Sequence, residues 1–121
     1  MIVRVLRPES GRVETGGDVI RRVLVVDDSR AQRRILTASL QRWGFDVREA
    51  DSGGAALRIC TDYAPDLVLS DWMMPGMTGL EFCRLFRGLA RDSYGYFILL
   101  TSKSEKDEVA IGLDAGADDF L

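Results

Sequence analysis

Three carboxylates and one hydroxyl in this 121-residue chain follow short apolar runs, where the strands of a sheet would end. The residues are Asp27, Asp28, Asp71 and Thr101, and the runs before them are 23–26, 67–70 and 96–100. The carboxyl ends of parallel strands meet at one edge of an open α/β sheet, and ligands bind there. We therefore expect the four side chains to lie together and to form a site.

Three crowded carboxylates raise one another's pKa values unless a cation relieves their repulsion. Mg²⁺ suits such a site, because it prefers oxygen ligands, uses few carboxylates, keeps several waters and accepts a phosphate oxygen. With the metal in place, Asp71 could attack phosphorus directly, since a carboxylate nucleophile needs no base to deprotonate it. The chemistry that these residues indicate is metal-assisted transfer of a phosphoryl group.

Short strands alternating with helices would position these side chains. The aliphatic runs predict inner strands, whereas the alternating segment 45–49 predicts an edge strand that is wet on one face. A Pro/Gly loop at 75–79 excludes a regular element directly after the central run, so Asp71 is expected at a strand tip. Phe120 and Leu121 would begin a fifth strand.

Capping residues and apolar periodicity predict four helices. Ser29 would begin the first helix and Gly44 would end it, the second would span 52–63, the third covers 82–89, and Ser104 would begin the fourth. Their expected inward residues are Ile35, Leu36, Ser39, Leu40 and Trp43; Ala56, Ile59, Cys60 and Tyr63; Phe82, Leu85, Phe86 and Leu89; and Ala110, Leu113 and Ala117.

The alternation of strand and helix predicts an α/β domain with a doubly wound parallel sheet between two layers of helices, because such connections are right-handed crossovers. The length leaves room for one domain, which we assign to residues 21–121. Residues 1–20 contain Pro8 and several glycines with little periodicity. We expect them to form a flexible leader, in which Val3, Val5 and Leu6 could form a short strand.

Composition excludes several classes of function. The chain has no histidine, so it lacks imidazole catalysis and the usual zinc ligands. Its 16 basic and 19 acidic residues are scattered, which argues against a nucleic-acid surface in this domain. The apolar runs are too short to span a membrane and no secretion signal precedes them, so a cytoplasmic location is expected. Cys60 and Cys83 are expected to be small buried hydrophobes.

Four motifs in order give the chain a resemblance to a known family. They are Val25-Val26-Asp27-Asp28-Ser29, Ser70-Asp71-Trp72-Met73-Met74-Pro75-Gly76-Met77-Thr78-Gly79, Leu100-Thr101-Ser102-Lys103 and Ala115-Gly116-Ala117-Asp118-Asp119-Phe120. Over about residues 22–121 the chain resembles the receiver domain of bacterial two-component response regulators. The resemblance implies a flavodoxin-like (CheY-like) fold with the strand order 2-1-3-4-5.

The resemblance also implies a role for each site residue. Asp71 would accept the phosphoryl group and would bind Mg²⁺ together with Asp28 and the backbone carbonyl of Met73. Asp27 would contact the metal through water. The phosphoryl donor would be the phosphohistidine of a histidine kinase or of a histidine phosphotransfer protein, because this chain has no histidine of its own.

Two further residues would report that the phosphoryl group has arrived. Thr101 would hydrogen-bond a phosphoryl oxygen, and Phe120 occupies the position of the family's aromatic switch residue. Since Phe lacks the hydroxyl of Tyr, only ring packing could report its position. The face of the fourth helix and fifth strand would be the output surface and could form a homodimer. Asp118 and Asp119 are expected in a surface turn.

The C-terminus departs from the family pattern, in which a completed fifth strand, a phosphate-binding lysine two positions past Leu121 and a fifth helix would follow. We expect the native gene to continue beyond this point. A chain without the fifth helix would expose contiguous apolar surface, so we expect it to self-associate and to accept phosphoryl groups poorly.

Three other functions fit parts of the pattern. A phosphatase or phosphotransferase of the haloacid-dehalogenase type would carry a second Asp two positions after the nucleophile, where this chain has Met73. A flavin-binding module would need a Ser/Thr/Gly phosphate cradle after the first strand, where Asp27 and Asp28 would repel a phosphate. A degenerate receiver would serve only as an interaction surface, against which the complete set of site residues argues.

Overall fold

The computed structural model describes residues 13–15, 18–91, 94–100 and 115–120. Within them the chain alternates between strands and helices, as the sequence predicts. The strands are β1 Val13–Thr15, β2 Asp18–Ile20, β3 Arg22–Val26, β4 Asp46–Ala50, β5 Leu67–Asp71, β6 Tyr96–Leu100 and β7 Asp119–Phe120. The helices are α1 Arg30–Arg42, α2 Gly53–Ile59 and α3 Gly79–Arg87.

Five of the strands form one parallel sheet in the order β4-β3-β5-β6-β7. If only these five strands are numbered along the chain, the order is 2-1-3-4-5, so the expected fold is confirmed. The register pairs Val26 with Ser70 and Asp71 with Leu100, which brings the carboxyl ends of β3, β5 and β6 to the same height. That edge is where a doubly wound sheet places its ligand site.

Helices cover both faces of the sheet, and each face has its own apolar core. On one face α1 contributes Leu40, and the buried residues are Ile20, Val23, Val25, Leu40, Phe45, Leu67, Leu69 and Ile98. On the other face α2 and α3 contribute Ala56, Phe82 and Phe86. The Phe82 and Phe86 rings lie 5.4 and 5.7 Å from the ring of Phe97 on β6, at tilted angles typical of aromatic pairs.

Local signals set the ends of the helices. The Ser29 side chain accepts the amide N–H of Gln32 at the start of α1, and Gly44 adopts a positive φ of 92° just after its end. At the start of α3, Thr78 and Glu81 form a complete capping box. The helix starts expected at Ser29 and Ser52 are therefore confirmed.

The second helix and the predicted apolar faces need correction. α2 ends at Ile59, short of the predicted Tyr63, because the following amides of Thr61 and Asp62 bond to carbonyls only three residues back. α3 begins at Gly79, inside the predicted Pro/Gly loop, and ends at Arg87, whereas the sequence predicted a helix over 82–89. Leu85 on α3 and Leu89 just after its end are exposed, while Cys83 is buried as expected. The exposed residues that the sequence placed inward are Ile35, Trp43, Leu85 and Leu89, and Cys60 is only half-buried.

The N-terminal segment contains structure that the sequence did not predict. β1 and β2 pair as an antiparallel hairpin, with Val13 opposite Ile20. Ile20 is 1% exposed and belongs to the core on the α1 face. The core therefore begins inside the segment 1–20 that we expected to be a leader. The possible strand around Val3 lies outside the described residues.

The predictions for residues 101–114 also lie outside the described part of the chain. They include the role of Thr101 and the fourth helix from Ser104. Phe120 lies on β7, which pairs with β6, but its side chain is not among those described. The fifth strand starts one residue earlier than predicted, at Asp119.

Candidate functional site

Three carboxylates meet at the carboxyl edge of the sheet. Asp27 and Asp28 follow β3, and Asp71 ends β5, the neighbouring strand. One oxygen from each carboxylate can be chosen so that all three atoms lie within 4.8 Å of one another. The structure thus brings together the three acidic residues that the sequence singled out.

Asp27 is the buried member of the cluster, with 1% of its surface exposed. Its amide donates to the carbonyl of Ala50 at 3.1 Å, and its carboxylate accepts the amide N–H of Ser29 at 2.8 Å. Its carbonyl oxygen accepts a hydrogen bond from the Arg33 guanidinium at 2.7 Å. These bonds hold Asp27 from three sides. Asp28, the next residue, is exposed.

Asp71 sits between the buried and exposed sides of the site. Burial, the largest effect, raises the pKa of its carboxyl group, and the negative charges of Asp27 and Asp28 raise it further. Hydrogen bonds from the backbone amides of Met73 and Trp72 oppose the rise in pKa. Asp71 is therefore a crowded, half-buried carboxylate.

The loop after β5 is closed tightly against the end of that strand. The amide of Trp72 donates to the carbonyl of Leu100 at 3.0 Å, and the amide of Gly79 donates back to the carbonyl of Trp72 at 2.9 Å. A Cβ atom added at Gly79 would lie only 2.1 Å from the carbonyl oxygen of Asp71. Glycine is thus required where α3 begins beneath the acidic residue.

The donor set of the cluster fits a hard divalent cation. All three side chains offer carboxylate oxygens, which are the ligands that Mg²⁺ prefers. Asp27 is buried and Asp28 is exposed, so the exposed side of the cluster is open to water and to a second ligand. Asp27 and Asp28 both raise the pKa of Asp71, as neighbouring negative charges do, and a bound cation would oppose this effect.

Two residues near the site were not singled out from the sequence. Arg33 was assigned no role, and Gly79 was noted only as part of the Pro/Gly loop and of a family motif. The partners of Arg33 are the Asp27 carbonyl and Glu49 on β4, and only the fold brings them to it. The close packing at Gly79 has no sequence signal beyond the glycine itself.

Asp118 was expected in a surface turn, and the structure corrects this. Its half-buried carboxylate accepts hydrogen bonds from Arg87 at 2.7 Å, from the amide of Phe97 at 2.8 Å and from the hydroxyl of Tyr94. Arg87 also lies 4.5 Å from the centre of the Tyr94 ring and donates to the carbonyl of Gly116 at 2.8 Å. Asp118 therefore ties α3 to the start of β6.

Comparisons with known proteins agree on one family. Residues 23–121 match the sequence profile of the response regulator receiver domain. The DNA-binding response regulator MtrA of Mycobacterium leprae is 41% identical over 101 residues, which cover 84% of this chain and 44% of that protein. The response regulator MprA of Mycobacterium sp. strain KMS is 44% identical over 100 residues, which cover 83% and 43%. The chain thus spans less than half the length of these relatives.

Solved structures give the same result. The chemotaxis protein CheY4 of Vibrio cholerae superposes with a TM-score of 0.81 at 31% identity, covering 84% of this chain and 85% of that one. The receiver domain of a signal transduction histidine kinase from Syntrophus aciditrophicus gives 0.75 at 35% identity, covering 84% and 76%. Among the described residues, no helix is long and apolar enough to cross a membrane.

Proposed function

The chain belongs to the receiver domain family of two-component response regulators, and from that membership we propose that Asp71 is its phosphoacceptor. The observation that carries this proposal is the cluster of three carboxylates around a half-buried Asp71 at the tip of the central strand β5. The family match decides against the flavin-binding and haloacid-dehalogenase alternatives. The domain is a signalling module, and we propose that it has no other catalytic activity.

In the proposed reaction, a carboxylate oxygen of Asp71 forms a bond to phosphorus while the N–P bond of a phosphohistidine breaks. The electron pair of that bond leaves with the imidazole of the donor, which belongs to a histidine kinase or a histidine phosphotransfer protein. The backbone amides of Met73 and Trp72 oppose the rise in the pKa of Asp71 and so favour its reactive anionic form. Asp71 reacts as an anion, so no general base is needed.

Asp28, Asp71 and the Met73 carbonyl would hold Mg²⁺ directly, and Asp27 would hold it through a water molecule. The bound ion would neutralise the charge that develops on the transferring phosphoryl oxygens. The Asp27 carboxylate already accepts a hydrogen bond from the Ser29 amide at 2.8 Å, which fixes its position in the cluster. The exposed Asp28 faces the side from which a donor can approach.

The response to phosphorylation completes the proposal. Thr101 would bind a phosphoryl oxygen, Phe120 would shift its packing, and the face of the fourth helix and β7 would carry the signal or form a homodimer. Phosphorylation would shift the population of two conformers that exist beforehand. We propose that the domain acts in the cytoplasm and contacts no nucleic acid itself, although the relative MtrA is named as a DNA-binding regulator.

The test is covalent labelling. A complete receiver, extended through the fifth helix, is incubated with Mg²⁺ and acetyl phosphate, and intact masses are compared for the wild type, Asp71→Asn and Asp62→Asn. Asp62 is an exposed aspartate outside the carboxylate cluster. We expect one phosphoryl group on the wild type and on Asp62→Asn, and none on Asp71→Asn. Equal labelling of all three chains would overturn the assignment, and no labelling of any would indicate a degenerate receiver.

A further inference from the structure

We propose that Arg33 is a positioning residue that holds the Asp27–Asp28 loop in the geometry that binds Mg²⁺. The proposal rests on the proposed function of the carboxylate cluster. Arg33 lies on the first turn of α1, and its guanidinium group joins two elements that are distant in sequence. One terminal nitrogen donates to the carbonyl of Asp27 at 2.7 Å, and Nε donates to the Glu49 carboxylate on β4 at 3.0 Å.

The contact with the Asp27 carbonyl controls the residue that follows it. A carbonyl and the next amide belong to one planar peptide unit, so fixing the Asp27 oxygen also fixes the direction of the Asp28 amide. Asp28 is exposed, and among the described residues its carboxylate accepts no hydrogen bond of its own. The position of Asp28 therefore depends on its backbone, and Arg33 restrains that backbone.

The pair of Arg33 and Glu49 is built to act as a fixed support. The side chains are 15% and 26% exposed, so water competes weakly for their contact. The Glu49 carboxylate accepts the hydrogen bond from Nε of Arg33, so the terminal nitrogens of the guanidinium group can reach the loop. A guanidinium has donors in a rigid fork, and an ammonium cannot reproduce two contacts of this geometry.

Neighbouring arginines separate the positioning role from a general effect of charge. Arg30 and Arg34 stand on the same turn of α1 and are exposed. Neither side chain makes a hydrogen bond or ion pair within the described part of the chain. If a positive charge near the cluster were all that mattered, loss of Arg34 would have an effect similar to loss of Arg33.

The experiment compares the wild type with Arg33→Met, Arg33→Lys, Glu49→Gln and the matched control Arg34→Met. Mg²⁺ affinity is measured by calorimetry, and labelling by acetyl phosphate is measured at saturating Mg²⁺. We expect Arg33→Met to raise the Mg²⁺ dissociation constant about tenfold, as loss of a group that orients a metal ligand does. Arg33→Lys and Glu49→Gln should fall between Arg33→Met and the wild type. Arg34→Met should match the wild type.

A further measurement does not depend on the metal. Hydrogen exchange of the Asp27 amide, which donates to Ala50 across β3 and β4, should become faster in Arg33→Met and stay unchanged in Arg34→Met. If both variants lose affinity equally, or neither does, the positioning role is overturned while the function of Asp71 stands. If the wild type neither binds Mg²⁺ nor accepts a phosphoryl group, the proposed function is wrong. Unchanged hydrogen exchange of the Asp27 amide in Arg33→Met would overturn the positioning role of Arg33.

Discussion

Gly79→Ala is expected to slow phosphoryl transfer to Asp71 by about 10²-fold while leaving the domain folded. The added Cβ would lie 2.1 Å from the Asp71 carbonyl oxygen and 3.1 Å from Cδ2 of Leu99. Such carbon–oxygen contacts need about 3 Å, so the end of β5 and the start of α3 must separate by about 1 Å, which is overpacking of a closed site. A displacement of this size at a reacting group can cost about 10² in rate.

The effect on stability should be moderate. Overpacking costs about 1–3 kcal/mol, of which the better helix propensity of alanine offsets up to about 1 kcal/mol. For a domain of this size, each kcal/mol lowers the melting temperature by about 5 °C. Thr78→Ala is a milder variant, because it loosens the cap that fixes the first turn of α3 without adding an atom beside Asp71.

The assay is the initial rate of acetyl phosphate labelling at saturating Mg²⁺, followed by intact mass on protein whose circular dichroism is native. Gly54→Ala is the matched control, because it also lies in the first turn of a helix. A Cβ there would meet only the Arg58 guanidinium at 3.8 Å. A Gly79→Ala rate within twofold of the Gly54→Ala rate would refute the reasoning. If Gly79→Ala does not fold, an unchanged rate in Thr78→Ala would refute it instead.

Three further changes test the site and the core. Asp71→Asn should melt at a higher temperature than the wild type at neutral pH without Mg²⁺. Because the folded state raises the pKa of the Asp71 carboxyl group, the group stabilises the fold at pH values below its ordinary pKa. This stabilisation is lost as the pH rises through the raised pKa. The gain should vanish in acid, and equal melting temperatures at neutral pH would contradict it. Asp28→Ala should reduce the rise in melting temperature that Mg²⁺ gives by mass action, and an unchanged rise would refute its role as a ligand. Thr37→Val should raise the free energy of unfolding by about 1 kcal/mol, because the buried Thr37 hydroxyl has no hydrogen-bond partner among the described residues. Thr37→Ser, which keeps the hydroxyl, should show no gain in a denaturant melt.

The acidic site could be predicted from the sequence because each of its residues follows an apolar run. An aliphatic run that ends in Asp27 or Asp71 is typical of a buried strand with a polar residue at its tip. Pairing β3 with β5 then brings the tips together, and the observed register confirms it. The order of the strands, however, came from the resemblance to a family, since alternation alone does not fix which strands are neighbours.

The supports of the site could not be predicted, because their partners are distant in sequence. Arg33 reaches Glu49, 16 positions away, and only the packing of α1 on β4 makes the contact possible. The predicted buried face of α3 was wrong for a different reason. Phe82 and Phe86 fit two adjacent apolar faces of α3, one with Leu85 and one with Gly79 and Cys83. The fold buries the face with Gly79 and Cys83, so Leu85 is left exposed.

The contacts of Asp118 also bear on the order in which the chain folds. Arg87, Tyr94 and the amide of Phe97 all precede Asp118 in synthesis, and they share its carboxylate as an acceptor. Until Asp118 leaves the ribosome, these donors lack the carboxylate that they share as an acceptor, so α3 and β6 cannot gain their full stability. Their region should then open and close as one cooperative unit, and slow exchange at the Phe97 amide would report that the unit has closed.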